Sequence, residues 1–226
     1  MSTEYNPAKI WMIVDSGAGE PAFNMALDEA LLIHAAEIRH PVLRFYSWTE
    51  PAATFGYFQR FAEVAKTTEL RPLIRRTTGG GIVPHDRDWT YSVIIPPGHE
   101  WHGLCATESY RQLHQWICNA FRISGVTAEL ADARRKQLPG QCFAGHEKHD
   151  VLLHGKKIAG AAQRRNRLGL LIQGSIQPPE SAVRADWQTA LLKAIQWEHG
   201  KIPTNAFESA QRLVSHYASR EHNERR

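Results

Sequence analysis

Two segments carry most of the information about the fold of this 226-residue chain: RRTTGGGIVPHD, at residues 75–86, and HGKKIAGAAQRR, at residues 154–165. In the first segment, three consecutive glycines separate a predicted strand from His85; they are Gly79, Gly80 and Gly81. Glycine allows positive φ and lets the backbone approach a ligand closely. Because each glycine costs backbone entropy, a plain tight turn with surface arginines would rarely need three of them. We therefore favour a ligand-binding loop, although no Lys-Ser/Thr follows it as in a Walker A loop.

Two arginines, Arg75 and Arg76, stand immediately before this glycine loop. Successive side chains of a regular strand point to opposite faces of the sheet. At most one of the two arginines is therefore expected to face a pocket.

The second segment carries a lysine pair on a predicted strand. Lys156 and Lys157 point to opposite faces of that strand, and small residues follow at Gly160, Ala161 and Ala162. The missing side-chain bulk leaves room for a slim ligand against the sheet. A lysine ammonium in such a place can polarise an acyl carbonyl or hold a phosphate. The alternative is a solvated lysine pair on an edge strand.

A cysteine, Cys142, lies fifteen residues before Lys157 in the loop LPGQCFAGHEKHD, at residues 138–150. Cationic neighbours in this loop can favour the thiolate. A thiolate attacks thioesters well, and the resulting thioester is a good acyl donor to an amine. The alternative is an ordinary free thiol in a loop. The other cysteines, Cys105 and Cys118, are expected to be buried and structural.

The composition favours a reduced, globular protein with a sizeable core. The chain is 42% hydrophobic with a formal net charge of +4, which is too weak to indicate a nucleic-acid partner but suits an acidic protein. An odd number of cysteines without metal-site spacing indicates a reducing compartment. We recognise no signal pattern and no apolar run near the ~20 residues that cross a bilayer. We therefore expect a soluble, cytoplasmic protein with no membrane partner.

The periodicity of the chain predicts one α+β domain over residues 1–226, with a frayed tail at about 218–226. Strands mostly follow one another through short turns, so the sheet is expected to be mixed and largely antiparallel, with flanking helices. The predicted strands cover 9–15, 42–48, 52–58, the start of RPLIRRTTGGG, 90–96, DVLLH, KKIAGAAQR and GLLIQGSIQ. The predicted helices cover 16–38, 107–124 and two C-terminal segments.

These segments together resemble the lipoate-protein ligase A / octanoyltransferase superfamily, which shares its catalytic fold with biotin protein ligases. The resemblance begins at GEPAFNMALDEALL, continues through VLRFYSWTEPAATFGYFQ and is strongest in the two segments quoted first. It implies that Lys157 contacts the acyl carbonyl or an acyl phosphate. It also implies an acyl-binding pocket lined by Arg76, Gly79, Gly80, Gly81 and His85, with Gly160 beside the lysine.

Within the superfamily, DWTYSV and the QCF segment look like the cysteine-dependent, ligase-like octanoyltransferases, in which Cys142 matches the residue that forms the acyl-enzyme. ATP-dependent lipoate ligases usually have Gly-Asn after the His-Asp pair and Asn-Asp before the lysine strand, whereas this chain has RDWTYS and His149–Asp150. Gly81 departs from the cysteine-dependent group, which often has arginine there, and follows the ligase pattern. The resemblance therefore favours an octanoyltransferase and keeps the ligase as an alternative.

The function that this resemblance implies is octanoyl transfer in lipoate assembly. Octanoyl arrives as a thioester on acyl carrier protein, Cys142 takes it, and Lys157 with backbone N–H groups stabilises the oxyanion. A lysine of a lipoyl-domain protein or of the glycine-cleavage H protein then receives the acyl group. Its proton acceptor stays open between His85 and His149. This chemistry requires no metal and no cofactor.

Two further functions remain as alternatives. An ATP-dependent lipoate-protein ligase would need ATP and Mg²⁺ and would not use Cys142. A non-catalytic protein of the same fold would bind a lipoyl group or its carrier and transfer nothing, although binding alone would need neither the cysteine nor the lysine. A basic nucleic-acid module is the least favoured class.

Overall fold

The computed structural model describes residues 9–135 and 145–225. Its strands are β1 (Ile10–Gly19), β2 (Val42–Trp48), β3 (Ala52–Phe55), β4 (Leu73–Arg75), β5 (Val83–His85), β6 (Trp89–Ile95), β7 (Glu129–Leu130), β8 (Val151–Leu153), β9 (Lys156–Asn166), β10 (Gly169–Ile176) and β11 (Gln196–His199). Its helices are α1 (Pro21–Ile33), α2 (Ala35–Ile38), α3 (Phe61–Val64), α4 (Glu100–Gly103), α5 (Ala106–Ile123), α6 (Arg184–Leu192), α7 (Thr204–Ala218) and α8 (Arg220–Glu224).

Eight strands form one large sheet in the order β11-β1-β2-β6-β10-β9-β8-β7. The two pairs that involve β1 are parallel, and the pairs from β2 to β7 are antiparallel. Consecutive strands β8, β9 and β10 pair through tight turns, as their short connections predict. The prediction of an α+β fold with a mixed, largely antiparallel sheet and flanking helices is confirmed.

Helices cover both faces of this sheet because its strands alternate apolar side chains between two cores. On one face, α1 and α7 pack over Met12, Val42 and Ile94. On the other face, α5 and α6 pack over Val93 and Ile172. Each fully buried aromatic side chain in these cores contributes roughly 1.5–3 kcal/mol relative to an exposed one.

A second sheet, with strand order β4-β3-β5, holds the predicted glycine loop. It has its own small core, in which Phe55 packs with Val64, Leu73 and Ile82. The loop connects β4 to β5, so its two ends are held on either side of β3. This arrangement fixes the position of the loop relative to the large sheet.

Two predicted element boundaries are wrong for local reasons. The first strand extends to Gly19, because a bulge after Asp15 with Gly17 at a φ of 66° continues the pairing with β2. The following helix begins at Pro21, whose ring suits a first helical turn. Strand β3 ends at Phe55, because Gly56 packs so closely on the Gly80 carbonyl that a side chain at residue 56 would overlap it.

The prediction of a frayed tail at 218–226 is wrong for the part of the tail that the structure describes. Residues 220–224 form α8, and His222 and Asn223 are buried. The Arg75 guanidinium donates to the carbonyl oxygens of His222, Asn223 and Arg225. These hydrogen bonds offset the entropy that an end segment loses on ordering.

Short strand β11 was missed because its four residues are all exposed and show no apolar alternation. Within residues 9–135 and 145–225, no helix combines the length and apolar character that a membrane span requires.

Candidate active site

A cleft brings the glycine loop and the lysine strand together. Both motifs contribute to its wall, along with α1, β2, β3, β6 and β10. The lining residues are Met25, Tyr46, Thr54, Arg76, Gly80, Val83, His85, Thr90, Lys157, Gly160, Ala161, Ala162, Gln173, Gly174 and Ser175. Of the predicted site residues, the cleft thus collects Arg76, Gly80, His85, Lys157 and Gly160. Gly79 and Gly81 are not among the lining residues; their carbonyl oxygens accept hydrogen bonds from Arg76 instead. Cys142 lies outside the described residues.

Arg76 holds the glycine loop in shape. Its guanidinium donates to the carbonyl oxygens of Gly79 and Gly81, at 2.5 and 2.8 Å. Gly80, between them, has a φ of 87°, a conformation that glycine adopts without strain. The Thr78 hydroxyl donates to Gln173 on β10 at 2.7 Å. The loop is therefore fastened at one side by an arginine and at the other by the large sheet.

Only one of the two adjacent arginines faces the cleft, as strand alternation predicts. Arg75 points the other way, toward α8, and is buried there. Arg76 is also buried and additionally contacts the Thr54 hydroxyl at 3.3 Å.

Lys157 is a buried, ion-paired lysine rather than half of a solvated pair. Its Nζ lies 2.7 Å from Oδ2 of Asp150, and the Lys157 side chain is 7% exposed. Lys156, on the opposite face, is exposed. Gly160 makes this arrangement possible, because a Cβ there would lie only 2.5 Å from Cε of Lys157.

His85 has protein partners at both ring nitrogens. Nδ1 lies 2.9 Å from Oδ2 of Asp88, and Nε2 lies 2.9 Å from the Thr54 hydroxyl. The ring stacks on Trp48 with centroids 4.0 Å apart. Asp88 also accepts hydrogen bonds from Thr90 and Ser175. These contacts hold the imidazole in a fixed orientation between Asp88 and Thr54.

His149, the other candidate proton acceptor, is placed differently. It has a φ of 70°, and its backbone carbonyl lies 2.6 Å from Nδ1 of the buried His114. Partial burial and then the nearby Lys148 charge lower the pKa of the His149 imidazole. The cleft lining includes His85 and not His149. The residue that accepts the proton of the attacking lysine stays a prediction, open between His85 and His149.

Sequence reasoning missed the polar side chains that line the cleft from the large sheet. Gln173 and Ser175 lie in β10, a strand that is buried along its whole length. Polar residues alternating in an otherwise apolar strand were the available signal. Gln173 also donates to Asp28 of α1, which forms a buried ion pair with Arg44 at 2.7 Å. The cleft wall is thus continuous with a buried polar network.

The two described cysteines differ in exposure. Cys118 is buried as expected, and burial raises the pKa of its thiol to about 11. The expectation that Cys105 is buried is wrong: it is exposed, because it precedes the first turn of α5.

The described residues carry the fold of the lipoate-ligase catalytic domains. The structure superposes on a putative lipoate protein ligase from T. acidophilum with a TM-score of 0.79 at 21% identity, covering 95% of this chain and 99% of that one. For a lipoate-protein ligase A bound with ATP, the TM-score is 0.76 at 21% identity, with 95% and 98% covered. At this identity the similarity concerns the fold.

The chain belongs to the lipoyl protein ligase A/B catalytic domain family, whose sequence model matches residues 20–178. It is similar to proteins named octanoyltransferase LipM. The identity is 39% over 185 residues with the protein of Geobacillus kaustophilus, covering 74% of this chain and 65% of that protein. With the protein of Bacillus subtilis it is 36% over 179 residues, covering 74% and 64%. The match therefore spans less than two thirds of the length of these relatives.

Proposed function

We propose that this chain is an octanoyltransferase of lipoate assembly that works through a Cys142 thioester. The observation that carries the proposal is the position of Lys157, which faces a cleft lined by small residues and by the glycine loop. The similarity to proteins named octanoyltransferase LipM supports the same activity. An acyl chain would lie along the wall made by Gly160, Ala161 and Gly174.

The reaction has two acyl-transfer steps. In the first, the Cys142 thiolate attacks the carbonyl carbon of octanoyl-acyl carrier protein. The bond between that carbon and the carrier sulfur breaks, the carrier leaves as a thiolate that takes up the proton Cys142 had lost, and octanoyl stays as a thioester on Cys142. In the second, the neutral amine of an acceptor lysine attacks this thioester, an amide forms, and the Cys142 thiol is released. Before this attack the acceptor lysine gives up a proton, because its reference pKa of about 10.4 keeps it protonated at neutral pH.

Lys157 stabilises the tetrahedral intermediate in each step. Its ammonium is held in the cleft by Asp150, so a negative oxygen that develops there meets a fixed positive charge. Removing one preorganised donor of this kind typically costs about 10²–10³ in rate. His85 contributes to the cleft wall through its fixed contacts with Asp88 and Thr54.

The proposal requires neither ATP nor a metal ion. The donor is acyl carrier protein, and the acceptor is a lipoyl-domain protein or the glycine-cleavage H protein. A formal charge of +4 on this chain suits such acidic partners. The ligase alternative differs because it needs ATP, Mg²⁺ and a free acid as substrates.

The test is intact-mass analysis of the protein mixed with octanoyl-acyl carrier protein without ATP. We expect a hydroxylamine-labile octanoyl adduct on the wild type and on Cys105→Ser, which removes an exposed cysteine. Cys142→Ser should lack this adduct. Transfer to a lipoyl domain only after Mg-ATP and free octanoate are added would overturn the proposal in favour of a ligase. Binding without any transfer would make it a carrier-binding protein.

A further inference from the structure

Asp150 lies immediately before β8, beside the lysine that faces the cleft. Its side chain is fully buried. Oδ2 lies 2.7 Å from the Lys157 ammonium and accepts a hydrogen bond of 2.7 Å from the Glu147 backbone N–H. Its own backbone carbonyl accepts from the N–H of Ala131. A buried carboxylate is costly unless it is paired and hydrogen-bonded, and here every contact comes from a different segment.

Tyr110, on α5, completes the environment of this carboxylate. Its hydroxyl donates to Oδ1 of Asp150 and accepts from the backbone N–H of Ala161, at 3.2 Å, in the strand that carries Lys157. Burial, and then the nearby Asp150 charge, raise the pKa of Tyr110 well above its ordinary value. The hydroxyl therefore remains a donor. It connects Asp150 to β9 independently of the lysine.

The Lys157 side chain passes directly over Gly160 on its way to Asp150. A Cβ at residue 160 would lie 2.6 Å from Nζ of Lys157 and 3.2 Å from Oδ1 of Asp150. The lysine therefore folds back across the glycine. An ammonium has three N–H donors in a tetrahedral arrangement, so fixing one of them on Asp150 restricts the directions of the others.

We propose that Asp150, held by Tyr110, is a positioning residue that aims the Lys157 ammonium at the acyl carbonyl. The inference rests on the proposed function and deepens it. Because Asp150 also accepts from the Glu147 backbone N–H, it ties the lysine to the segment that immediately precedes β8. Positioning of this kind acts on the bound complex, and it changes the rate more than the affinity for the donor.

The test is a double-mutant cycle on the rate of Cys142 acylation at saturating octanoyl-acyl carrier protein, measured in single turnovers. Asp150→Asn is expected to lower this rate by about 10²-fold, the effect of a small misplacement of a reacting group. The donor concentration at half saturation should change less than about twofold, since substrate contacts are kept. In a Lys157→Ala background, Asp150→Asn should cause no further loss, because it acts through the lysine.

Tyr110→Phe removes one hydroxyl without changing packing, and is expected to lower the acylation rate by about tenfold. It keeps the inference testable if Asp150→Asn does not fold. The matched control is Asp132→Asn, an exposed aspartate in the same loop region, which should leave the rate unchanged.

Equal losses in both lysine backgrounds, or a change confined to the half-saturating concentration, would overturn the positioning role and leave the proposed function standing. A wild-type protein that forms no thioester would overturn the proposed function and, with it, the inference. An unchanged acylation rate in Tyr110→Phe would remove Tyr110 from the anchor.

Discussion

Arg75 and Arg76 are neighbours in the chain, both are buried, and they serve different regions of the molecule. Arg75 donates to carbonyl oxygens of residues 57 and 59 and of the C-terminal segment 222–225. Arg76 donates to two carbonyl oxygens of the glycine loop and contacts Thr54 in the cleft. Arg75 joins residues 57 and 59 to the C-terminal segment, and Arg76 holds the glycine loop beside the cleft.

The difference shows that the partner segment, and not the residue type or its burial, determines the role of a buried arginine. Both guanidinium groups donate to backbone carbonyls, and a buried charge requires such partners. The carbonyls around Arg75 belong to two segments far apart in the sequence, so the contact stabilises tertiary structure. Those around Arg76 lie three and five residues away, so the contact determines local loop geometry.

Replacing Arg75 should produce the largest loss of stability. Arg75→Met removes five hydrogen bonds from a charged donor. Since each such bond contributes roughly 1.5–3 kcal/mol and neighbours are not additive, we expect a loss of about 3 kcal/mol or more in the free energy of unfolding. Urea denaturation measures it, with the exposed Arg212→Met as control. Equal unfolding free energies would show that the hydrogen bonds of the Arg75 guanidinium contribute nothing to stability.

Lowering the pH should reduce the free energy of unfolding by a comparable amount, through the buried His114 of α5. Burial lowers the pKa of His114 from 6.5 to about 4. Between these two pH values His114 is protonated in the unfolded chain and neutral in the folded protein. The free energy of unfolding therefore falls as the pH drops from 6.5 toward 4. The loss approaches roughly 3 kcal/mol, at about 1.36 kcal/mol per pKa unit.

The measurement compares urea unfolding of the wild type and of His114→Asn between pH 7 and pH 4. Asparagine keeps a donor near the His149 carbonyl but does not titrate, so the variant should show a flatter dependence in this window. Parallel curves for the two proteins would contradict the assignment of this acid sensitivity to His114.

Changing Arg76 should affect activity more than stability, which is the opposite of Arg75. Arg76→Lys keeps the charge but loses the planar fork that spans the carbonyls of Gly79 and Gly81. We expect the rate of octanoyl transfer to fall about 10²-fold, through misplacement of the loop. Arg87→Lys, an exposed arginine between β5 and β6, is the control. A variant that unfolds as readily as Arg75→Met would remove the contrast between the two arginines.

The smallest expected effect comes from adding a methyl group beside Lys157. In Gly160→Ala, the new Cβ meets the flexible end of the lysine side chain. The lysine can move aside, so we expect at most about 1 kcal/mol of destabilisation, with about a tenfold loss in transfer rate. Gly103→Ala has no atom within 4 Å of the new Cβ and serves as the control. Full transfer activity in Gly160→Ala would show that the exact position of the ammonium is unimportant.

Local patterns predicted much of the fold. The helix expected at 107–124 is α5 at Ala106–Ile123, and the three consecutive strands are β8, β9 and β10. The alternation of side chains along a strand correctly predicted that Arg75 and Arg76 point to opposite faces, as do Lys156 and Lys157. The boundaries near Gly17 and Gly56 were wrong because a bulge and a close backbone approach decide them. These features depend on neighbouring strands.

Local sequence was enough to predict the regular elements, the glycine loop and the lysine that faces the cleft, because periodicity and glycine conformation depend on nearby residues. The meeting of Tyr110 and Asp150 beside Lys157, forty residues apart in the chain, results from the packing of α5 against the sheet. Packing likewise brings the Arg75 guanidinium within hydrogen-bond distance of a carbonyl oxygen 150 residues later in the chain. Such contacts depend on how the helices pack on the sheets and on the cost of burying unpaired polar groups. The spacing of residues along the chain therefore does not predict them.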